Sequence, residues 1–220
     1  MDLNYSNINL FPTIIHQFDV NGFNEIKNDL IKYAYDLKNK NIQGVSISNV
    51  GGWQSSSFRV KNEDDILHNF LINCLSGFPV ILESTDIFIE AWVNINKPGD
   101  YNVKHNHPNC DLAGVLWIQC PQNCGQIQFE APNAFQAYNE LKSYKSNFKV
   151  KNKFYDNCCF NPVEGRLIVF PSHLTHLVKE NKSYSDRISV SFNINLQNAA
   201  QPAQDVLDKS RFLVKGERHG

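Results

Sequence analysis

The sequence predicts a mainly β fold with flanking α: an antiparallel jelly-roll core, closed or in two sheets, preceded by N-terminal helices. Three observations carry this. Helical hydrophobic spacing is confined to the residues before 86. A period of two begins at Asp86 and recurs in short runs as far as Leu196. Turn residues such as Lys97-Pro98-Gly99-Asp100 separate the alternating runs.

The elements follow in order. Leu10 to Val20 reads as an opening strand and Asn21-Gly22 as its turn. From Phe23 to about Asn39, Ile26, Leu30, Ile31, Tyr33, Ala34 and Leu37 recur at helical spacing against Lys, Asp and Asn, which gives an amphipathic helix. Gly51-Gly52 breaks the chain before Trp53. A second helix is expected from Glu63 to Leu75, stopping near Gly77 and Pro79. Ile87, Ile89, Ala91, Val93 and Ile95 then alternate with Phe88, Glu90, Trp92, Asn94 and Asn96. Further strands are expected at Val103 to His107, Leu112 to Cys120, Gly125 to Glu130, Asn157 to Val163, Gly165 to Phe170 and Arg187 to Leu196. Asn133 to Lys153 has no clean period and reads as a lid or long insertion, with a candidate helix around Phe135 to Tyr144.

A chain of 220 residues and 25.2 kDa suits one domain with a full core. Residues 1–85 are expected to pack on a core formed by 86–197, with 198–220 as a tail. The 21 basic residues nearly cancel the 22 acidic ones without a block of like charge, so neither a nucleic-acid groove nor a membrane surface is indicated. The partner is expected to be a small molecule or a peptide. Met1-Asp2-Leu3-Asn4 lacks the basic flank and apolar run of a secretory signal. Cys74, Cys110, Cys120, Cys124, Cys158 and Cys159 therefore read as reduced thiols in a cytoplasmic protein rather than as a disulfide framework or zinc module.

The chemistry is concentrated in a few residues. His105 and His107 stand two apart, a spacing that projects two imidazoles from one face of an extended strand. His176 follows in Phe170-Pro-Ser-x-x-x-His176 and can arrive from a second segment. Of the seven histidines, four fall in two tight clusters, which favours metal binding over four unrelated polar residues. A metal held on one face by three protein groups keeps positions free for dioxygen, as non-haem Fe(II) chemistry requires. His173, three residues before His176, falls on another side of an extended segment and is the weaker ligand.

Arg187 to Asn195 alternates throughout: Ile188, Val190, Phe192 and Ile194 on one side, Arg187, Ser189, Ser191, Asn193 and Asn195 on the other. A guanidinium matches a carboxylate with two parallel hydrogen bonds, and the Ser189 hydroxyl faces the same way. This pair can hold the distal carboxylate of 2-oxoglutarate. Asn94, Asn96 and Gln128 are candidate inner-face groups for cosubstrate or substrate, with a solvent-facing strand position as the plain alternative. Trp92 and Trp117 read as core before pocket wall.

Trp92-Val-Asn-Ile-Asn96, His105-x-His107-Pro-Asn, Ala113-Gly-Val-Leu-Trp-Ile118, Pro162-Val-Glu-Gly165, Phe170-Pro-Ser-x-x-x-His176 and Arg187-Ile-Ser-Val-Ser-Phe-Asn193 resemble the 2-oxoglutarate/Fe(II) oxygenases of bacteria and phages, distant kin of prolyl hydroxylases. Leu10-Phe11-Pro12-Thr13 resembles that family's start. The resemblance implies a double-stranded β-helix, Fe(II) and 2-oxoglutarate, with His105, His107 and His176 on the metal and Arg187 and Ser189 on the cosubstrate. Two positions depart from it. His107 stands where the wider superfamily commonly has Asp, and Ala113 stands where a serine is expected before Gly114. Three readings are open at the metal: His107 replaces the carboxylate, Asp111 supplies it, or one of the two near histidines stands behind the ligands. The first is favoured, because the spacing fits without bending the chain. Two other functions compete: a cupin-like three-histidine enzyme that needs no keto acid, and a jelly-roll binding module without catalysis.

Overall fold

The structure, a computed structural model, describes residues 12–61, 65–76, 78, 85–132 and 143–198. It opens with a short strand, β1 (His16–Asp19), and a helix, α1 (Phe23–Lys40), which buries Phe23, Leu30 and Ala34. Glu25 in the first turn of α1 and Lys38 and Lys40 in the last complement its dipole. Strands β2 (Asn49–Val50), β3 (Trp53–Gln54) and β4 (Phe58–Arg59) follow, two of them flanking the Gly51-Gly52 break. Helix α2 (Ile66–Leu75) starts later than the hydrophobic pattern suggests, because the Asp65 carboxylate accepts from the amides of Leu67 and His68 at 2.9 and 3.1 Å and caps it there.

The strands after residue 84 form the core: β5 (Thr85–Asn96), β6 (Tyr101–His105), β7 (Leu112–Gln119), β8 (Ile127–Glu130), β9 (Asn157–Phe160), β10 (Arg166–Pro171), β11 (His176–Val178) and β12 (Arg187–Asn198). A short helix, α3 (Ser146–Lys151), precedes β9. The candidate helix around Phe135 to Tyr144 falls almost wholly outside the described residues. One seven-stranded sheet runs β1-β10-β7-β12-β5-β3, with β4 also on β5, and a five-stranded sheet runs β2-β6-β11-β8-β9. Every pairing is antiparallel. This is a mainly β, two-sheet architecture of the double-stranded β-helix type.

Two apolar clusters hold it together. Ile89, Ala91, Val93 and Ile95 of β5 and Ile188, Val190, Phe192 and Ile194 of β12 pack with Leu30, Ala34, Leu67 and Leu71 of the helices. The faultless alternation of β12 thus buries its apolar side under α1 and α2, outside the double sheet, and turns its polar side inward. Between the sheets lies the second cluster, Ala113, Val115, Trp117, Ile127, Phe129, Ile168 and Phe170.

Three predicted strand ends are corrected. The strand predicted to reach His107 ends at His105, so the two histidines do not share one regular strand. The strand predicted from Gly125 begins at Ile127, because Gly125 adopts φ 93° in the turn before it. The strand predicted to Val163 stops at Phe160, ahead of Pro162, which has no amide to donate. The described cysteines carry no disulfide. Among the described residues, no helix is long and apolar enough to cross a membrane.

Candidate metal centre

His176 begins β11 and lies directly opposite His105, the last residue of β6, in the antiparallel ladder. Two imidazoles 71 positions apart in the chain are therefore cross-strand neighbours, with ring centroids 4.3 Å apart. His107 lies beyond the end of β6, and its amide donates to Ser172 O at 2.9 Å. Its ring stacks on that of His176 at 5.2 Å and 7°, and on Trp92 at 5.9 Å and 22°. One ring nitrogen from each of His105, His107 and His176 lies within 4.8 Å of the others.

Each ring is held by its other side. His105 Nδ1 donates to Val103 O at 2.8 Å, and His176 Nδ1 donates to Leu174 O at 2.9 Å, both within two residues. His107 Nδ1 meets Asn193 Oδ1 of β12 at 2.7 Å. A carbonyl oxygen only accepts, so the proton sits on Nδ1 in every ring and Nε2 keeps its lone pair. Burial reinforces the neutral form. It pushes His107 down to about 4 and His176 down to about 3, with the neighbouring His105 adding to both shifts, and it lowers His105 as well. Three neutral, oriented imidazoles facing one point suit Fe(II), as they suit other borderline divalent metals.

The same cavity, of about 480 Å³, holds the polar face of β5 and β12. Asn94, Asn96, Arg187, Ser189, Ser191 and Asn193 line it, and the ladder sets Ser189 opposite Asn94 and Arg187 opposite Asn96. Asn94 Nδ2 donates to Ser191 Oγ at 3.0 Å. Arg187 is only 2% exposed, yet no described carboxylate pairs with it. Its Nη1 donates to three backbone carbonyls, Cys124 O at 2.6 Å and Gly125 O and Lys179 O at 3.4 Å each. The guanidinium is thus pinned from behind, in a polar cavity, with no direct ion pair among the described residues. A buried guanidinium without a direct ion pair suits an anionic ligand, and its fork matches a carboxylate.

Other expected residues fall elsewhere. The exposed Asp111 accepts from Leu196 N–H at 2.8 Å through Oδ2, which ties it to β12, and it is not a member of the histidine cluster. His173 is exposed and outside the cluster. Gln128 takes the plain alternative: between inward-facing Ile127 and Phe129, it turns to the other side of β8 and accepts from Cys159 Sγ at 3.6 Å. Trp92 lines the cavity, whereas a core position was expected; Trp117 does both, packing between the sheets and lining the cavity.

Three contributors escape a sequence reading. Asn193 was visible only as one more polar position of an alternating strand. The Cys124-Gly125 carbonyls act through the backbone, which leaves no residue-type signal. Asn181, fully buried, donates to Asn96 O and Ser185 O at 2.9 Å each and accepts from Ser183 N and Oγ at 3.0 and 2.6 Å, shaping the loop that delivers Arg187. An asparagine in a polar loop is common enough to hide such a role.

Comparison with known proteins gives a consistent picture. Residues 90–193 match the model of the family described as "Putative 2OG-Fe(II) oxygenase". A search of curated protein sequences returned no match. Among solved structures, a Pseudomonas putida prolyl-4-hydroxylase is similar with a TM-score of 0.58 at 12% identity, over 83% of this chain and 92% of that one. A prolyl hydroxylase from Trichoplax adhaerens, in complex with a hypoxia-inducible-factor peptide fragment, gives 0.54 at 13%, over 82% and 83%. HygX from Streptomyces hygroscopicus, with nickel and 2-oxoglutarate bound, gives 0.54 at 10%, over 83% of each chain. At these identities the structural likeness speaks for the fold.

Proposed function

We propose that the chain, whose residues 90–193 match the 2OG-Fe(II) oxygenase model, is a non-haem Fe(II)/2-oxoglutarate-dependent oxygenase in which His105, His107 and His176 hold the iron while Arg187, Ser189 and Asn94 hold the keto acid. The observation that carries this reading is the meeting, in one cavity, of three Nδ1-tethered imidazoles with a buried guanidinium that forms no direct ion pair among the described residues. Iron with 2-oxoglutarate supplies the dioxygen-dependent oxidation of a substrate C–H bond when bound.

The protein's own part is binding, orientation and exclusion of water. Three uncharged ligands would leave the site one negative charge poorer than a pair of histidines with a carboxylate. Arg187 and Ser189 fix the far carboxylate by charge-assisted hydrogen bonds. Trp92, Phe170 and Val115 shield the cavity wall beside the rings. A cupin-like enzyme without the keto acid gives the buried Arg187 fork no ligand to match it.

A cavity of about 480 Å³ that also takes 2-oxoglutarate leaves room for a small molecule or one side chain of a peptide. That range of substrates, hydroxylation as the outcome, and the cytoplasm as the compartment, favoured by six cysteines suited to a reducing environment, complete the proposal. The test is oxygen-dependent formation of succinate from 2-oxoglutarate by the Fe(II)-supplied protein, with His176→Ala as control. Failure to bind the keto acid, together with no succinate above the control, would rule the assignment out.

A further inference from the structure

Two of the three rings are held from two residues back in the chain, and one is not. His105 and His176 sit on β6 and β11 and donate Nδ1 to carbonyls only two residues back, a contact that backbone conformation enforces almost unaided. His107 lies past the end of β6, where strand periodicity no longer aims its side chain. Among the described residues, its hydrogen-bonded ring partner is the Asn193 carboxamide, 86 residues away, at 2.7 Å. Asn193 lies on the inward face of β12, paired with Glu90 and Ala113, and so has no freedom to follow the loop.

We propose that Asn193 is the positioning residue of the metal centre: its Oδ1 holds the proton on His107 Nδ1 and thereby turns Nε2 to the point shared with His105 and His176. The inference rests on the iron reading above and extends it to a residue outside the three imidazoles. A carboxamide in this place also has a consequence for charge. All three Nδ1 partners are neutral oxygens, so nothing behind the imidazoles makes up for the carboxylate missing among them. An aspartate at 193 would put a negative acceptor against His107 and raise the basicity of its Nε2.

The experiment uses the full chain, with Fe(II) affinity measured anaerobically and the His107 tautomer read from long-range ¹⁵N–¹H NMR of the metal-free protein. Asn193→Leu is expected to weaken Fe(II) binding about 10- to 100-fold, the usual cost of losing a partner behind a metal ligand. In the metal-free variant, His107 should lose its single Nδ1–H form. Asn193→Ala removes the same acceptor with less bulk and should behave alike if the leucine variant fails to fold. Asn193→Asp should keep the Nδ1–H form and bind Fe(II) at least as tightly as the wild type. Unchanged affinity and an unchanged tautomer in the leucine or alanine variant would overturn the proposal. A wild-type chain that binds no Fe(II) would instead overturn the iron reading, and the metal-free tautomer would still decide whether Asn193 sets the ring.

Discussion

Arg187 Nη1 donates to Cys124 O at 2.6 Å, so the turn between β7 and β8 grips the guanidinium that begins β12. Gly125 makes this close approach possible. It adopts φ 93°, and a Cβ there would collide with Lys179 O and come within 2.8 Å of Arg187 Nη1. Arg187→Lys keeps a positive charge but loses the planar fork. It should weaken 2-oxoglutarate binding about 10- to 100-fold, the loss of roughly 1.5–3 kcal/mol of charged hydrogen bonding. Gly125→Ala should lower both keto-acid affinity and thermal stability. Calorimetric titration of the metal-loaded protein without oxygen measures the first, and a melting curve the second. Keto-acid binding unaltered by either change would separate Arg187 from the cosubstrate.

Asp111 offers the converse experiment. Its carboxylate receives the Leu196 amide near the end of β12, so Asp111→Ala should cost about 0.5–1.5 kcal/mol of stability, the typical worth of one hydrogen bond. Fe(II) affinity should stay unaltered. Loss of iron binding in a folded variant would restore Asp111 as a ligand.

Gly114 tests the packing behind the site. A Cβ at this position would run into the Phe192 ring and lie 2.7 Å from Ile168 O, inside a fully formed ladder. Gly114→Ala should destabilise the fold by about 1–3 kcal/mol through overpacking, with urea unfolding as the measurement. A variant as stable as the wild type would mean that the ring moves aside at no cost.

The histidine cluster makes stability depend on pH. In the unfolded chain the rings titrate near their ordinary 6.5, whereas in the folded protein burial holds His107 at about 4 and His176 at about 3, with His105 also lowered. Below pH 6.5 the unfolded state therefore binds protons that the native state refuses. The metal-free protein should be at full stability above pH 6.5 and lose it progressively as pH falls to 5, before ordinary carboxylates titrate. Urea midpoints at pH 7.5 and 5 check this, and His176→Ala should flatten the dependence. A midpoint no lower at pH 5 would contradict the burial of three neutral rings.

The parts of the protein readable in sequence are those fixed by local periodicity. The α1 pattern at Ile26, Leu30 and Ala34 gave the helix to within a residue of its end, because one buried stripe needs a 3.6-residue repeat. The β12 alternation assigned Ile188 to Ile194 to the core and Arg187 to Asn193 to the other face, because strand side chains alternate without exception. His105, His107, Arg187 and Ser189 were candidates by residue type and spacing alone, and so was His176.

Tertiary structure decided where those faces meet. That His176 is paired opposite His105, that Asp111 is spent on Leu196, that Gln128 turns away from the cavity and that Asn193 reaches His107 are all consequences of strand order and register. Sequence spacing carries no information about which distant strand becomes a neighbour. A one-residue change of register reverses which side chains face inward, so the β6–β11 ladder within the five-stranded sheet set His176 beside His105, while the sequence only named the two residues.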